Sequence, residues 1–456
     1  MTDHNNRPLL LVIFGITGDL AKRKLLPALY HLFEQGELPS QTRIIGVSRQ
    51  PVEAELLLDA TFGQNKPKNL AGFRKFLQIH QLDMSDRNAY VNFATELKDI
   101  SSNLGSDVNR IYYLSIPAQA FVDVVEHLGQ TGHSERFSNE SSLPKILVEK
   151  PFGYNSRSAH QLITATEKYY REEQVYRIDH YLAKETAQNI LVFRFNNPLF
   201  QSVWNSKYID KIIVSAYESI GVEGRANFYE QTGALRDLIQ SHLLQLLALV
   251  TMEEPKTLDS AGIHRSKVRL LESIEAIAEK DVPSMAFRGQ YEGYRQEVNN
   301  PNSNIETFAR LRLIIDNAQW RKTEVIVESG KSLDERNSTI QVHFSGDSEK
   351  HCSNLLEFRL QPKEGITIAL QAKRPGLDKT TETVEMDFDY ARSFGGSSSE
   401  AYQRVMIDAI RGDQSLFASA AEVMAAWKIV ENVLLYWEKS GDGLKIYPQN
   451  SSPIKL

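Results

Sequence analysis

The sequence predicts an α/β amino-terminal domain followed by an α+β carboxy-terminal domain with a large, mostly antiparallel sheet. Two observations support this prediction. Short apolar segments alternate with helical segments over the first part of the chain, which is typical of βαβ repetition and a parallel sheet. Farther along, β-rich segments follow one another without intervening helices, which is typical of an antiparallel sheet. We place the boundary after residue 178, so that the domains comprise residues 1–178 and 179–456.

Composition and charge narrow the class of protein. The chain of 456 residues is 41% hydrophobic and 24% charged, as is typical of a soluble globular protein with two domains. The net charge of -6 gives no overall attraction to nucleic acid or to a membrane, so neither is expected as a partner. The single Cys352 excludes an intramolecular disulfide and a cysteine-rich metal site. The polar residues 1–8 do not resemble a signal peptide, which predicts a cytoplasmic protein.

The first apolar run, Leu9–Phe14, is typical of a strand buried on both faces of a parallel sheet. The turn after it reads Gly15-Ile16-Thr17-Gly18-Asp19-Leu20-Ala21 and leads into a helical segment. Glycines let the backbone approach a pyrophosphate, and the first amides of a helix are free to bind it. The pattern favours a Rossmann-type dinucleotide-binding domain. The alternative is a strand-to-helix turn whose glycines serve geometry alone.

The end of the second predicted strand, residues 42–47, bears on the choice of cofactor. Domains of this type that bind NAD usually carry Asp or Glu there, which accepts a hydrogen bond from the ribose 2′-hydroxyl. Here Ser48 and Arg49 occupy that place. Because a guanidinium can bind a 2′-phosphate with two hydrogen bonds, Arg49 favours NADP, with NAD as the weaker alternative. The competing interpretation is a surface arginine in a loop.

Lys150 follows the last of three further predicted strands, at residues 79–82, 110–115 and 145–148. In open α/β sheets, ligands bind beyond the carboxyl ends of the strands. Lys150 is therefore predicted to lie where nicotinamide and substrate meet, although a solvated strand end is the alternative. Pro151 comes next and suits a tight turn, in which its peptide bond is either trans or cis.

The densest group of functional side chains is Arg177-Ile178-Asp179-His180-Tyr181-Leu182-Ala183-Lys184-Glu185. If this segment is helical, His180 and Lys184 share one face and Tyr181 lies beside them. Like charges on one face require an anion between them, and a phosphate would accept hydrogen bonds from all three side chains. The alternative is a solvated helix face.

The carboxy-terminal strands are predicted at residues 211–217, 307–315, 324–328, 340–344, 355–361, 366–371 and 384–388. A helix is predicted over residues 233–252, and His242 lies on it among leucines. Imidazole has an ordinary pKa of about 6.5, which suits a base that takes a proton from a sugar hydroxyl. A core histidine is the alternative. Asp179 is the candidate group to orient His242.

Residues 330–336 contain two cations, Lys331 and Arg336, and connect two predicted strands. This segment is interpreted either as a further phosphate contact or as a solvated hairpin loop.

Together these segments resemble the glucose-6-phosphate dehydrogenase family over nearly the whole chain. The resemblance is carried by residues 15–25, 149–153, 177–185, 221–225, 236–242, 330–336 and 361–365. Ala183 stands where the family has glycine, and Ala226 and Asn227 stand where it usually has small or glycine residues.

The resemblance implies oxidation of C1 of D-glucose 6-phosphate to 6-phospho-D-glucono-1,5-lactone with hydride transfer to NADP, the first oxidative step of the pentose phosphate pathway. It implies His242 as the general base with Asp179 as its partner. The implied substrate contacts are Lys150, His180, Tyr181, Lys184, Glu218, Asp237, Lys331 and Arg336. The implied cofactor contacts are Gly15, Thr17, Gly18, Asp19, Leu20, Lys24, Arg49 and Lys150. No metal is required, and a homodimer or homotetramer through the large sheet is expected.

Two other functions remain open at the level of sequence. A related sugar or sugar-phosphate oxidoreductase, of the glucose–fructose oxidoreductase type, shares the dinucleotide domain and a Glu-Lys-Pro turn. It does not predict the group of His180, Tyr181 and Lys184. A catalytically silent NADP-binding paralogue predicts loss of the base, whereas His242 and Asp179 are both present.

Overall fold

The computed structural model of the protein describes residues 7–64, 66–105, 107–135, 143–346, 354–395, 400–440 and 443–453. Two expectations depend on residues outside these ranges. The expectation about disulfides and cysteine-rich metal sites depends on Cys352, and the expectation of a cytoplasmic protein depends in part on residues 1–6. Within the described ranges, no helix is long and apolar enough to cross a membrane. The same residues contain no group of three or more His, Cys, Asp or Glu side chains that could bind a metal ion.

The strands are β1 (Leu9–Phe14), β2 (Thr42–Ser48), β3 (Leu77–Gln81), β4 (Asn109–Leu114), β5 (Lys145–Val148), β6 (Val175–Ile178), β7 (Ile209–Tyr217), β8 (Ala286–Tyr291), β9 (Phe308–Leu313), β10 (Glu324–Gly330), β11 (Asn337–Phe344), β12 (Leu355–Gln361), β13 (Gly365–Lys373), β14 (Thr381–Asp389), β15 (Phe417–Ala418) and β16 (Leu444–Tyr447).

The α-helices are α1 (Leu26–Glu34), α2 (Ala54–Phe62), α3 (Leu70–Arg74), α4 (Arg87–Leu104), α5 (Phe121–Gln130), α6 (Ser156–Glu167), α7 (Glu185–Phe195), α8 (Pro198–Gln201), α9 (Ala226–Ala234), α10 (Leu244–Thr251), α11 (Ser260–Ser273), α12 (Val282–Met285), α13 (Tyr294–Glu297), α14 (Tyr390–Phe394), α15 (Ala401–Arg411) and α16 (Ala420–Lys439). Two π-helical segments, Ala21–Leu25 and Leu235–Leu243, run directly into α1 and α10.

The chain divides into two units. The first comprises Met1–Gly153, Arg157–Ala183 and Ser399–Ala420, and the second comprises Tyr154–Ser156, Lys184–Ser398 and Ala421–Leu456. No sequence pattern indicated that a late segment returns to the first unit. The domain boundary after residue 178 stays a prediction.

The first unit contains a seven-stranded sheet in the order β15-β6-β5-β4-β1-β2-β3. All its strands are parallel except β15, which pairs antiparallel with β6. The order of the six parallel strands is that of a doubly wound dinucleotide-binding fold, and it reverses between β1 and β4. The predicted α/β amino-terminal domain is therefore confirmed.

The continuous apolar sequence of β1 follows from helices that cover both faces of the sheet. Leu9, Leu11 and Ile13 belong to a core shared with α1 and α15, whereas Leu10 and Val12 belong to a core shared with α4 and α5. Successive side chains of a strand point to opposite faces, so each face requires its own apolar set. This explains why no polar residue interrupts the strand.

The second unit contains a nine-stranded sheet in the order β14-β13-β12-β11-β7-β10-β9-β8-β16. Only the pairs β7–β10 and β8–β16 are parallel, so the sheet is mostly antiparallel as predicted. All seven strands predicted for this part of the chain are present, whereas β8 and β16 were not predicted. The π-helical segment Leu235–Leu243 packs on the central strands β7 and β10, and this packing positions the helix that carries His242.

Candidate active site

The glycine turn after β1 requires glycine at its first position. Gly15 has φ +78°, and a Cβ there would lie 2.1 Å from the main-chain oxygen of Ser115. The Gly15 and Ile16 amides donate to the Val47 oxygen at 3.1 and 3.2 Å, and the Gly18 amide donates to the Gly15 oxygen at 2.9 Å. Because Ser115 directly follows β4, the turn lies where the strand order reverses, the usual place for a dinucleotide.

The helix after this turn begins near Asp19 and Leu20, so the last residues of the predicted turn 15–21 are already helical. The first amides of a helix have no intrahelical acceptor, and together with the helix dipole they favour a phosphate group. Thr17 and Gly18 are partly exposed beside them. Lys24 is exposed on the same helix, and its Nζ lies 3.7 Å from Oε2 of Glu400. These residues fit a bound pyrophosphate.

Arg49 directly follows β2 and is exposed, with its main-chain oxygen accepting from Nε2 of Gln81 at 3.2 Å. The neighbouring acid is Asp83. Two hydrogen bonds from Ser85 lower the pKa of the Asp83 carboxyl, with a smaller contribution from the Arg49 charge. That carboxylate is therefore engaged mainly by Ser85, and the exposed guanidinium suits an additional anion.

Lys150 lies just beyond the carboxyl end of β5, and its peptide bond to Pro151 is cis. The preceding Glu149 accepts a hydrogen bond from the Tyr113 hydroxyl of β4 and interacts with the Tyr402 hydroxyl of α15. Burial raises the pKa of Glu149 to about 7, although both hydroxyls and the Lys150 charge oppose this increase. Neither tyrosine was recognised from the sequence. For Tyr402 the reason is that nothing in the sequence indicates that α15 belongs to this unit.

The nine-residue stretch 177–185 is not helical, which corrects the sequence-based interpretation. Its first two residues end strand β6, a run of turns follows, and helix α7 begins only at Glu185. Asp179 is 4% exposed, and its Oδ1 accepts from the Tyr181 amide at 2.9 Å. Such side-chain bonds to nearby amides favour turns over helices, which explains the difference. The argument that His180 and Lys184 share a helix face is therefore wrong.

In the first unit, the turn brings two of the predicted phosphate contacts together. The rings of His180 and Tyr181 lie 5.0 Å apart between centroids. Tyr181 is buried, whereas His180 is partly exposed.

In the second unit, Lys184 is held at the start of α7. Its Nζ donates to the Leu360 oxygen at 3.2 Å, and burial lowers its pKa to about 8. The carboxylate of Glu364 opposes this decrease, while the charge of the exposed Arg336 adds to it. Two predicted phosphate contacts, Lys184 and Arg336, thus interact electrostatically. Two nearby cations favour an anion such as phosphate.

The helix that carries Asp237 and His242 begins after a sharp break at Gly233, which has φ +63°. The Leu235 amide donates to Oε1 of Glu306 at 3.0 Å, and a Cβ on Gly233 would lie 2.3 Å from that same atom. The buried carboxylate of Glu306 therefore caps this helix, a role that the sequence did not reveal. Farther along, Asp237 is 8% exposed and His242 is fully buried.

Lys331 lies in the connection between β10 and β11, which is not a hairpin because both strands pair with β7 on opposite sides. The solvated-hairpin interpretation is therefore wrong. Lys331 is buried and forms an ion pair with Glu218, another predicted substrate contact. Its Nζ also lies 5.3 Å from the ring centroid of Tyr229. The sequence did not indicate a role for Tyr229, because Lys331, which it contacts, is distant along the chain.

The chain matches the profiles of two domains of one protein family. Residues 12–189 match "Glucose-6-phosphate dehydrogenase, NAD binding domain", and residues 191–454 match "Glucose-6-phosphate dehydrogenase, C-terminal domain". The chain belongs to the glucose-6-phosphate dehydrogenase family. Its amino-terminal domain thus binds a nicotinamide dinucleotide, and the predicted resemblance is confirmed.

Similar proteins extend over nearly the full length of the chain. Glucose-6-phosphate 1-dehydrogenase of Chlamydia muridarum is 37% identical, with 95% of this chain and 91% of the relative covered. The Bacillus subtilis enzyme of the same name is 33% identical, with 94% and 91% covered. A solved glucose-6-phosphate dehydrogenase in complex with its substrate glucose-6-phosphate superimposes with a TM-score of 0.90 at 30% identity, with 99% of this chain and 96% of that chain covered.

We predict that Gly233→Ala destabilises the protein, because the added methyl group meets the Glu306 carboxylate and the residue keeps a positive φ. The free energy of unfolding should decrease by about 2–5 kcal/mol, the sum of backbone strain and overpacking. Urea denaturation measures this change.

Gly224→Ala is the matched control, since Gly224 has φ +78° but no atom within 4 Å of an added Cβ. It should lose only about 1–2 kcal/mol from strain. Equal losses in the two variants would contradict the proposed cap.

Proposed function

We propose that this chain oxidises C1 of D-glucose 6-phosphate to 6-phospho-D-glucono-1,5-lactone and passes the hydride to NADP. The proposal is supported chiefly by family membership over both domains, together with the superposition on an enzyme that holds glucose-6-phosphate. The site residues named from the sequence remain proposals, and the geometry within each unit supports several of them.

His242 is the proposed base that takes the proton of the C1 hydroxyl. Imidazole is suited to this step, because its ordinary pKa lies close to neutral pH. Asp179 is its proposed partner, which would hold the second ring nitrogen and stabilise the imidazolium that forms. When bound, NADP supplies the electrophilic ring that accepts the hydride.

The proposed phosphate contacts are His180, Tyr181 and Lys184, and Lys331 and Arg336 belong to a basic segment proposed to help bind the substrate. The proposed sugar-hydroxyl contacts are Lys150, Glu218 and Asp237. Cations and a phenol suit a phosphate dianion. Carboxylates and an ammonium suit the hydroxyls of a sugar, which both donate and accept. The ion pair of Lys331 and Glu218 offers a donor and an acceptor side by side, which suits a sugar hydroxyl.

The activity is tested by following absorbance of NADPH after mixing the purified protein with NADP and glucose 6-phosphate. We expect NADPH and lactone to form in equal amounts. Absence of both with a folded protein would contradict the proposal and favour a silent NADP-binding paralogue. Equal activity with unphosphorylated glucose would favour a related sugar oxidoreductase.

His242→Asn should reduce kcat by about 100- to 10,000-fold, because the general base is lost while the side-chain volume is nearly kept. Substrate affinity, measured by calorimetry, should change little. His343→Asn is a suitable control, since this histidine is half-buried on β11 outside the proposed site. A kcat near the wild-type value in His242→Asn would remove His242 from the mechanism.

Substrate binding should weaken as pH rises through about 8. Burial lowers the pKa of Lys184 to about 8, so its ammonium is charged below that pH and neutral above it. The KM for glucose 6-phosphate should therefore increase from about pH 7 to about pH 9, where the phosphate stays a dianion. In Lys184→Arg the cation cannot titrate, and the increase should be smaller. Parallel KM profiles for the two proteins would contradict this role.

Arg49 is proposed to bind the 2′-phosphate of NADP. Arg49→Ala should raise the KM for NADP by about 10- to 100-fold, the scale of losing hydrogen bonds to a charged group. The KM for NAD should change little. Arg43→Ala, on the strand that Arg49 follows and also exposed, serves as the control. An equal effect of Arg49→Ala on both cofactors would contradict a 2′-phosphate contact.

We further propose a homodimer or homotetramer formed through the large sheet. Its edge strand β14 is mostly exposed and presents Met386 at 63% exposure, with Leu377 fully exposed in the preceding turn. Exposed apolar side chains on an edge strand favour association. Light scattering of the purified protein measures its oligomeric state, and a monomer at micromolar concentration would contradict this proposal.

The predicted cytoplasmic location stays a prediction.

A further inference from the structure

The ammonium group of Lys331 is shared between two partners in the second unit. One partner is the carboxylate of Glu218, with which Lys331 forms an ion pair. The other is the ring of Tyr229, whose centroid lies 5.3 Å from Nζ. Tyr229 lies on α9 and is 2% exposed, and the Lys331 side chain is 8% exposed. A cation over an aromatic face is attracted most strongly when both are shielded from water.

The main chain of Lys331 is fixed on both sides. Its amide donates to the Thr307 oxygen at 2.9 Å, and its own oxygen accepts from the Tyr447 hydroxyl at 2.7 Å. With the backbone held, the direction of the long side chain depends on what its ammonium contacts. A lysine side chain otherwise has several rotatable bonds and substantial conformational freedom.

The Tyr229 ring is itself held in place and kept neutral. It packs against Tyr294 with centroids 6.2 Å apart at an interplanar angle of 66°. Burial raises the pKa of the Tyr229 phenol well above its ordinary value, and the nearby carboxylates of Asp237, Glu306 and Glu218 add to this increase. Two of these carboxylates, Asp237 and Glu218, are proposed sugar contacts. Tyr229 therefore lies among three proposed substrate groups.

A carboxylate or carbonyl oxygen that binds an ammonium accepts one of the N–H groups of that ammonium. The face of an aromatic ring attracts the positive charge instead and does not act as such an acceptor. Lys331 has three N–H donors, and Glu218 accepts from this group. If Glu218 were the sole partner, the ammonium would be free to move around that carboxylate and the donors would lack a fixed direction. The ring restricts the ammonium to one side and leaves a donor for a substrate oxygen.

We propose that Tyr229 is a positioning residue for the sugar phosphate, because its ring holds the Lys331 ammonium beside Glu218 in the orientation that binds substrate. This inference rests on the proposed function, and it assigns a role to a residue outside the motifs that define the family resemblance. Tyr229 acts through Lys331 and does not itself take part in the proton or hydride transfer.

Two variants of the full-length protein test this role. Tyr229→Leu removes the ring that lies against the Lys331 ammonium, and Tyr229→Phe keeps it. We expect Tyr229→Leu to raise the KM for glucose 6-phosphate by about 5- to 30-fold, the scale of a shielded cation–π contact. Tyr229→Phe should stay within about twofold of the wild type, and the KM for NADP should not change.

A double-mutant cycle separates positioning from general loss of structure. In a Lys331→Met background the cation is absent, so Tyr229→Leu should add less than about twofold to the KM for glucose 6-phosphate. Fully additive effects of the two substitutions would overturn the proposal. Wild-type activity with unchanged KM in Tyr229→Leu would also overturn it while the proposed function stands. An inactive wild type would instead overturn the proposed function.

Discussion

The pairing of β1 with β4 is the constraint on which the first unit depends. This pairing makes the order of parallel strands reverse at one point of the sheet, so the connections after the two strands lead to opposite faces. Gly15 and Ser115 meet there, closely enough that no side chain fits on Gly15. The same edge of the sheet carries the ends of β2, β5 and β6, with Arg49, Lys150 and Asp179 just beyond them. One arrangement of strands thus brings together the proposed cofactor contacts and part of the proposed catalytic machinery.

In the second unit, the corresponding constraint is the central position of β7 between β10 and β11. The connection of β10 to β11 must cross the end of β7, and this crossing buries Lys331 beside Glu218, which follows β7. The helix that carries Asp237 and His242 packs on β7 and β10 and starts at the Glu306 cap. The arrangement of the sheet therefore accounts for a buried ion pair that a solvated loop would not contain.

The sequence predicted those features that arise from local pattern. The strand Leu9–Phe14 could be recognised because both faces of the sheet require apolar side chains. The turn after it could be recognised because its backbone geometry requires glycine at the first position. Strand β8 was missed because its inward positions include the buried polar side chains of Arg288 and Gln290, which break the apolar pattern. The 177–185 stretch was misread as helical, because its functional side chains suit either a helix or turns and the Asp179 hydrogen bond decides between them. The contact of Tyr229 with Lys331 joins residues far apart in the chain, and no local pattern encodes it.

The central claim is that a hydride moves from C1 of glucose 6-phosphate to the nicotinamide ring. Glucose 6-phosphate that carries deuterium at C1 tests this claim most directly, with mass spectrometry of the reduced cofactor after turnover. The proposed mechanism predicts one deuterium atom in each molecule of reduced NADP formed. Reduced cofactor without deuterium, or deuterium that remains in the sugar product, would contradict it.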